Sequence, residues 1–538
     1  MGLDEIVFWT KIFLRKIKKN VKEIFFGFYL IAVLLISVVA SMQSESHYGT
    51  TMFFLLVVIT TYLLVPRISE KIRSINSIEP VTDAKKQVRF FCVFTIGCLL
   101  VFLFWFLAYY PGAYSPDSIN QYKQAATGRY NDWHPVLHTL LIFTLPLKLT
   151  GANASIVFFQ IAYFSLVLGI VSTIVYRYSG RWWALILMFP IVLSPWTYNI
   201  AMYPWKDVAF AFAATLCMAM AVKIYYDRKT SVIELVILAV LLMMATIFRH
   251  NGILFSGTLL VALLFQISLK RWGLLVLFVV VALGLVRGPI YAGLGVEKPG
   301  NRVVETMGFP LSVIIYVAKE CPECLNEETS DFVERMTRIQ PEWKENYNLT
   351  GFPSIKYAGD GVDFEVIESS GRLKIMRMMM NCILADPIHS ITAIVAMTSV
   401  VYGLEINCDH ELSIMPNEYE IVYSGNKSLK KKAETYSQLV KKTPIRFFLA
   451  TIGMPLIVML AFMLFRTNAT KDDFKRVALC TPILTYDFGT MFIMSGAESR
   501  FFYVTMLVCP LVVCVMLGKP VNERPKGNDK TFAENTNH

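Results

Sequence analysis

The chain lacks the motifs of the common soluble enzymes. It holds no P-loop, no G-x-S-x-G elbow, no H-E-x-x-H helix and no Rossmann glycine fingerprint. Nucleotide-driven transport and the familiar hydrolase mechanisms therefore have no support. No internal repeat, the usual trace of a secondary transporter, is evident. No small-residue cleavage signal follows the first apolar run, which trails Lys11, Arg15, Lys16, Lys18, Lys19 and Lys22 and reads as an uncleaved anchor. Charge is scarce too: 17% of the residues are charged and 55% are hydrophobic, with a mean hydropathy of +0.51. A chain of this size with that balance is too apolar to be soluble.

What is present is a series of apolar stretches of the length needed to cross roughly 30 Å of hydrocarbon. Twelve spans are predicted, near 24–42, 51–66, 89–110, 153–176, 182–203, 206–225, 231–248, 251–268, 272–296, 444–465, 476–495 and 500–518. The net charge of +11 does not indicate nucleic acid, because the basic residues cluster in short segments beside the spans. With a cytoplasmic N-terminus, 1–23, 67–90, 177–181, 223–230, 270–271, 466–476 and the tail 519–538 lie inside, and all are rich in Lys or Arg. The short outer segments hold only Lys123, Arg129, Lys148, Lys206, Arg249 and Arg500. Residues 134–150 are apolar but short and carry His134, His138 and Lys148. They are read as a helix lying on the outer face.

The expected architecture is an all-α polytopic membrane protein of about twelve transmembrane helices, with outer-face juxtamembrane helices and a mixed extracytoplasmic domain. Its parts are N-terminal transmembrane helices (1–110), a first outer loop (111–152), a transmembrane core (153–296), the extracytoplasmic domain (297–443), C-terminal transmembrane helices (444–518) and a cytoplasmic tail (519–538). The domain carries Cys321, Cys324, Cys382 and Cys408. Outside the membrane these could form two disulfides, with three pairings open; zinc is the rival reading, but the spacings match no standard finger. The other six cysteines sit in or beside spans as small apolar residues. Residues 388–405 could also span; a buried helix of the outer domain is the favoured reading.

In this topology the unusual polar motifs all face one side. Asp117 follows Ser115-Pro116, a helix-start signature that places its carboxylate in the positive field of a helix N-terminus. Such a carboxylate can take a proton from a hydroxyl or hold a metal, or it can simply start the helix. Trp133-His134 closes the same loop; the imidazole can serve phosphate binding or proton transfer and the indole can stack on a sugar, while an interfacial aromatic belt is the plain alternative. Lys206-Asp207 opens a span, as an ion pair or as a functional pair. Arg249-His250-Asn251-Gly252 is a tight turn of anion-binding types, or a solvated turn. Glu498 and Arg500 flank the last outer turn as a phosphate clamp or a helix-end pair. Asp487 lies inside a span, a functional position by default, although its depth suggests internal bracing.

Together these residues resemble the GT-C superfamily, the multi-pass glycosyltransferases that use polyprenyl-phosphate-linked sugars. The likeness runs from about 89 to 296, with an echo at 476–518. It is carried by P-G-A-Y-S-P-D-S-I-N-Q-Y, D-W-H-P-V-L-H-T-L-L, Y-R-Y-S-G-R-W-W and W-K-D-V-A-F, and it looks more like a little-characterised bacterial branch than the protein mannosyltransferases. The resemblance implies catalytic roles for Asp117, Asp207 and His134, with Asp117 and Asp207 also candidate ligands for a divalent metal (Mg2+ or Mn2+). Arg249, His250, Asn251 and Arg500 would bind the donor phosphate, supported by Ser118, Gln121, Trp133, Lys206 and Glu498. The family's usual acidic pair is replaced here by Asp117-Ser118, and D-W-H-P stands where several relatives have Lys-Pro-Pro.

The implied activity is an inverting transfer from a polyprenyl-phosphate sugar to a cell-envelope glycan, lipid or protein acceptor at the outer face of a bacterial plasma membrane. A lipid-linked glycan polymerase or ligase, and a non-enzymatic lipid or polysaccharide transporter or flippase, are the alternatives. A transporter would place its charges near the bilayer midplane rather than at span ends.

Overall fold

The computed structural model describes residues 20–36, 47–298, 303–404 and 411–518. The basic segment 1–19, Cys408 and the tail 519–538 lie outside the described residues, as do the expected cytoplasmic placements of both termini. The described chain is all-helical, its only strand-like pairings being isolated bridges. Five helices are long and apolar enough to cross a membrane: Ala84–Ala108, Ala154–Leu193, Lys206–Asp227, Leu269–Gly293 and Ser499–Leu517. The pair Phe364–Ala385 and Pro387–Tyr402, bent by 119°, makes a sixth if it is one broken span. Several apolar helices of this kind mark a membrane-embedded protein.

Three of the other expected spans are shorter than that. Val232–Phe248, Gly252–Leu264 and Gly453–Phe465 have 17, 13 and 13 residues, the shorter two only about 20 Å at 1.5 Å per residue. The stretches 153–176 and 182–203 fall on two helices that meet at Gly180. Gly180 breaks Ala154–Leu193 with a φ of 81°, open to glycine and strained for other residues. The chain reverses there: Phe164 meets Phe102 and Tyr176 meets Phe90 before the break, and Tyr198 meets Trp105 after it. The helix then stops at Ser194, whose hydroxyl caps the next helix, Pro195–Met202.

Burial sorts the long helices into inner and outer. Within their most apolar windows, Lys206–Asp227 is 83% buried and Ser499–Leu517 89%, against 22% for Ala84–Ala108 and 17% for Leu269–Gly293. A helix buried on all sides needs close neighbours, and alanines at 209, 211, 213, 214, 219 and 221 let them approach. The outer helices instead expose apolar side chains, including Val93, Ile96, Leu100 and Leu277. Such a surface suits hydrocarbon rather than water.

Charged contacts collect at the two ends of the bundle. At one end Arg177 pairs with Asp227 at 3.0 Å, Arg228 with Asp472 at 2.8 Å, and Lys223 with Glu234. The other end carries the polar motifs singled out above. Residues 134–150 form one 15-residue apolar helix, Val136–Thr150, too short to cross and packed against Pro116–Thr127.

The 303–443 region is helical rather than mixed, built from Gly308–Glu320, Glu327–Thr337, Phe364–Ala385, Pro387–Tyr402 and Lys427–Lys442. Of its cysteines, Cys321 bonds to Cys324, and Cys382 is free and buried. A scheme with Cys382 in a second disulfide is therefore not seen; burial keeps its thiol away from solvent. Pro387–Tyr402 packs on Gly308–Glu320 and on Gly453–Phe465, burying Ala393, Met397, Val400 and Val401.

Candidate functional site

The site begins at a turn whose main chain is held from outside. After Pro111, Gly112 has φ 121°, and a Cβ there would lie 2.4 Å from Val157. The next residues are clamped by the 411–426 segment: Tyr114 N–H donates to the Ser413 carbonyl, and Met415 N–H to that of Tyr114, both at 3.0 Å. Ser115 then caps helix Pro116–Thr127, accepting from the Ser118 N–H, and itself receives the Trp205 indole N–H at 2.8 Å. Asp117 therefore sits in the first helical turn, where the terminal N–H groups favour a negative charge.

Four other segments converge on it. Arg500, in the turn Ser499–Phe502, places Nη1 3.5 Å from Asp117, and its Nε lies 3.7 Å from Asp207 and 3.4 Å from Glu498. Its guanidinium stands 4.7 Å from the centre of the Trp205 ring, a favourable cation–π arrangement. Arg249 bonds directly to Asp207 and lies 3.9 Å over the Phe501 ring. His134 brings Nε2 to 4.0 Å from Asp117, and Lys206 Nζ to 3.5 Å from its Nδ1.

Exposure separates the two carboxylates. The Asp117 side chain is 36% exposed and that of Asp207 only 2%. Asp117 can meet an entering molecule, whereas Asp207 holds the arginines in place from below. Burial pushes the Asp117 pKa up, but Arg500, His134 and Lys206 outweigh it and hold the group below the ordinary carboxylate range. Burial, reinforced by Lys206, pushes His134 down to about 4. The imidazole is therefore neutral at pH 7, and its contact with Asp117 is not an ion pair there. Burial likewise takes His138 to about 3; its Nδ1 lies 2.6 Å from Gln121 Oε1, which fixes the floor of the site.

The structure thus brings together Asp117, His134, Lys206, Asp207, Arg249, Glu498 and Arg500. Ser118 and Gln121 are buried beneath them, and Trp133 is 38% exposed. Of the other two predicted residues in the Arg249 turn, His250 is exposed, and Asn251 precedes helix Gly252–Leu264 without capping it through its side chain. Asp487 braces the interior, accepting the Thr505 hydroxyl at 2.7 Å. The sequence reading missed Trp205, Phe501 and His138 as site residues. Each was signalled only by adjacency: Trp205 and Phe501 neighbour Lys206 and Arg500, and His138 falls one turn after His134.

A dication between Asp117 and Asp207 does not fit this arrangement. The Arg500 guanidinium already bridges them, and Arg249 occupies a further Asp207 oxygen; two cations would face each other at close range. The one group of potential ligands close enough for a metal among the described residues is Cys321, Cys324 and Asp386, and both sulfurs there are in a disulfide.

Against family models, curated proteins and solved structures alike, the chain gives no match.

Proposed function

We propose that the protein is a membrane glycosyltransferase that moves a sugar from a polyprenyl-phosphate donor to a hydroxyl acceptor by inverting displacement. The observation that carries this reading is the Asp117–Arg500 pair: a part-exposed carboxylate and a guanidinium in contact at the end of an apolar helical bundle. Lys206, Arg249 and Arg500 balance Asp117, Asp207 and Glu498, so the resting cluster is close to neutral.

An entering donor phosphate competes with Asp117 for Arg500. Arg forks onto phosphate oxygens in two parallel hydrogen bonds, and taking that contact releases the carboxylate. Freed of its cation, Asp117 becomes a stronger base. It then accepts the proton of the acceptor hydroxyl as that oxygen attacks the anomeric carbon from the face opposite the phosphate. The bond from the anomeric carbon to the phosphate oxygen breaks, and the lipid phosphate leaves with the electron pair. Arg500 and Lys206 stabilise the charge that grows on it. Arg249, locked between Asp207 and Phe501, positions Asp207 and through it Arg500. Neutral His134, buried beside Asp117, can donate or accept a hydrogen bond there without adding charge.

The test is incubation of the purified protein with a panel of polyprenyl-phosphate sugars, scoring release of free lipid phosphate. Asp117→Asn should lower turnover about 100-fold or more while the protein stays folded. Full turnover in that variant would reject the scheme. Intact substrate recovered across a sealed membrane, with no lipid phosphate released, would favour a transporter instead.

A further inference from the structure

A second binding site lies at the far end of the bundle. A cavity of about 490 Å³ opens between the start of helix Ala84–Ala108 and the bend of Ala154–Leu193. Arg89 lies 19 positions before Ala108, which leads into the Asp117 loop, so this cavity is roughly 28 Å from the candidate site at 1.5 Å per residue.

Its rim is basic. Lys86, Arg89 and Arg181 line it and come from two different helices. Lys86 has Asp83 at 3.4 Å, but both side chains are exposed. Among the described residues no carboxylate pairs with Arg89 or Arg181; Arg181 lies over the Trp182 ring at 5.8 Å. Neighbouring Arg177, by contrast, is neutralised by Asp227. Gly180 makes this possible, because the bend at its φ of 81° turns the chain just before Arg181.

The floor is aromatic and rigid. Phe90 and Tyr176 stack with ring centres 4.5 Å apart and planes 9° from parallel. Below the rim the lining turns apolar at Val93 and Leu185. From there an exposed apolar stripe runs along one helix through Ile96 and Leu100, and along the other through Ile186 and Phe189. A soluble anion would use the rim alone. The order of cations, then aromatic floor, then apolar channel matches an amphiphile with an anionic head and a hydrocarbon tail.

We infer that this cavity binds the phosphate headgroup of an anionic phospholipid, whose acyl chain lies along the Val93–Leu100 stripe. The site is separate from the one built on Asp117 and does not depend on the glycosyltransferase reading. A lipid held there would wedge the first long helix against the bend at Gly180.

Native mass spectrometry of the full chain, released from detergent, tests this with phosphatidylglycerol and phosphatidylcholine as probes. Phosphatidylglycerol should bind more tightly. The double variant Arg89→Gln/Arg181→Gln should weaken it about 25-fold, from roughly fivefold per surface cation, with phosphatidylcholine unchanged. Arg89→Lys/Arg181→Lys keeps the charge and should stay within about threefold of the parent, which separates charge loss from misfolding. Equal binding of the two lipids, or unchanged phosphatidylglycerol binding in the Gln variant, would overturn the proposal. Displacement of the lipid by millimolar inorganic phosphate alone would overturn the lipid assignment and leave a soluble-anion site.

Discussion

Arg500 Nη1 lies 3.5 Å from the Asp117 carboxylate while the same guanidinium rests 4.7 Å from the Trp205 ring. The aromatic face fixes the cation, so its anionic partner is the part free to change. Arg500→Gln should therefore have two effects. Turnover should fall on the order of 100-fold, and the Asp117 pKa should rise, since its largest favourable neighbour is gone. The acid limb of the rate–pH profile should move upward relative to the parent. A lowered rate with an unmoved acid limb would show that Arg500 does not act on Asp117.

Asp207 and Arg249 should behave as a stability pair. Both are nearly buried, at 2% and 8% exposure, so removing Arg249 leaves a buried carboxylate with only the longer Arg500 contact, at 3.7 Å. Arg249→Met alone should destabilise by about 3–5 kcal/mol. Asp207→Asn/Arg249→Met should recover much of that loss. Thermal unfolding of the detergent-solubilised variants reads both values, and additive single-variant losses would contradict a direct pair.

Acid should loosen the site through His134. Its folded pKa of about 4 lies below the ordinary 6.5, so the unfolded chain binds the proton more readily. Stability from this group is complete above pH 6.5 and is lost as pH falls toward 4, by on the order of 3 kcal/mol in total. His134→Asn should flatten the unfolding midpoint against pH across that window. An unchanged slope would mean that the imidazole is not buried in this way.

Gly252 tests the turn that carries Arg249. A Cβ built on it would lie 2.0 Å from the Ala245 carbonyl oxygen, which is main chain and cannot rotate away. Gly252→Ala should separate the two helices and draw Arg249 off Asp207, lowering both stability and turnover. Gly257→Ala, on the same helix with nothing within 4 Å, is the control and should be silent.

Under non-reducing conditions, peptide mapping should recover Cys321 joined to Cys324 and Cys382 unmodified. Cys382 should accept an alkylating reagent only after unfolding, because it is buried.

Much of the site was legible in the sequence because membrane spans leave few places for charge. Asp117, His134, Asp207, Arg249 and Arg500 each end an apolar run, and polar residues at the same end of a bundle have little choice but to meet. What periodicity and composition do not carry is where a run bends. Gly180 turns the chain between the expected spans 153–176 and 182–203, and Ser194-Pro195 divides the second of them, because backbone dihedrals and caps decide these breaks. The 411–426 clamp was invisible for a different reason. It pairs through main-chain groups, and these leave no side-chain pattern. Nor could the sequence say that Arg500 would stand between the two aspartates, which had been read as candidate ligands for a metal.

The 411–426 clamp has a consequence for how this protein can diversify. It grips Tyr110 and Tyr114 by peptide groups alone, through Ser413, Met415 and Ser424, while Glu418 and Glu420 between them face solvent. Glu418 reaches Lys123 at 3.2 Å, yet substitutions at these outward positions leave the main-chain grip intact, so the Asp117 carboxylate keeps its address. The side chains of this segment can drift while the turn they overlie stays where it is.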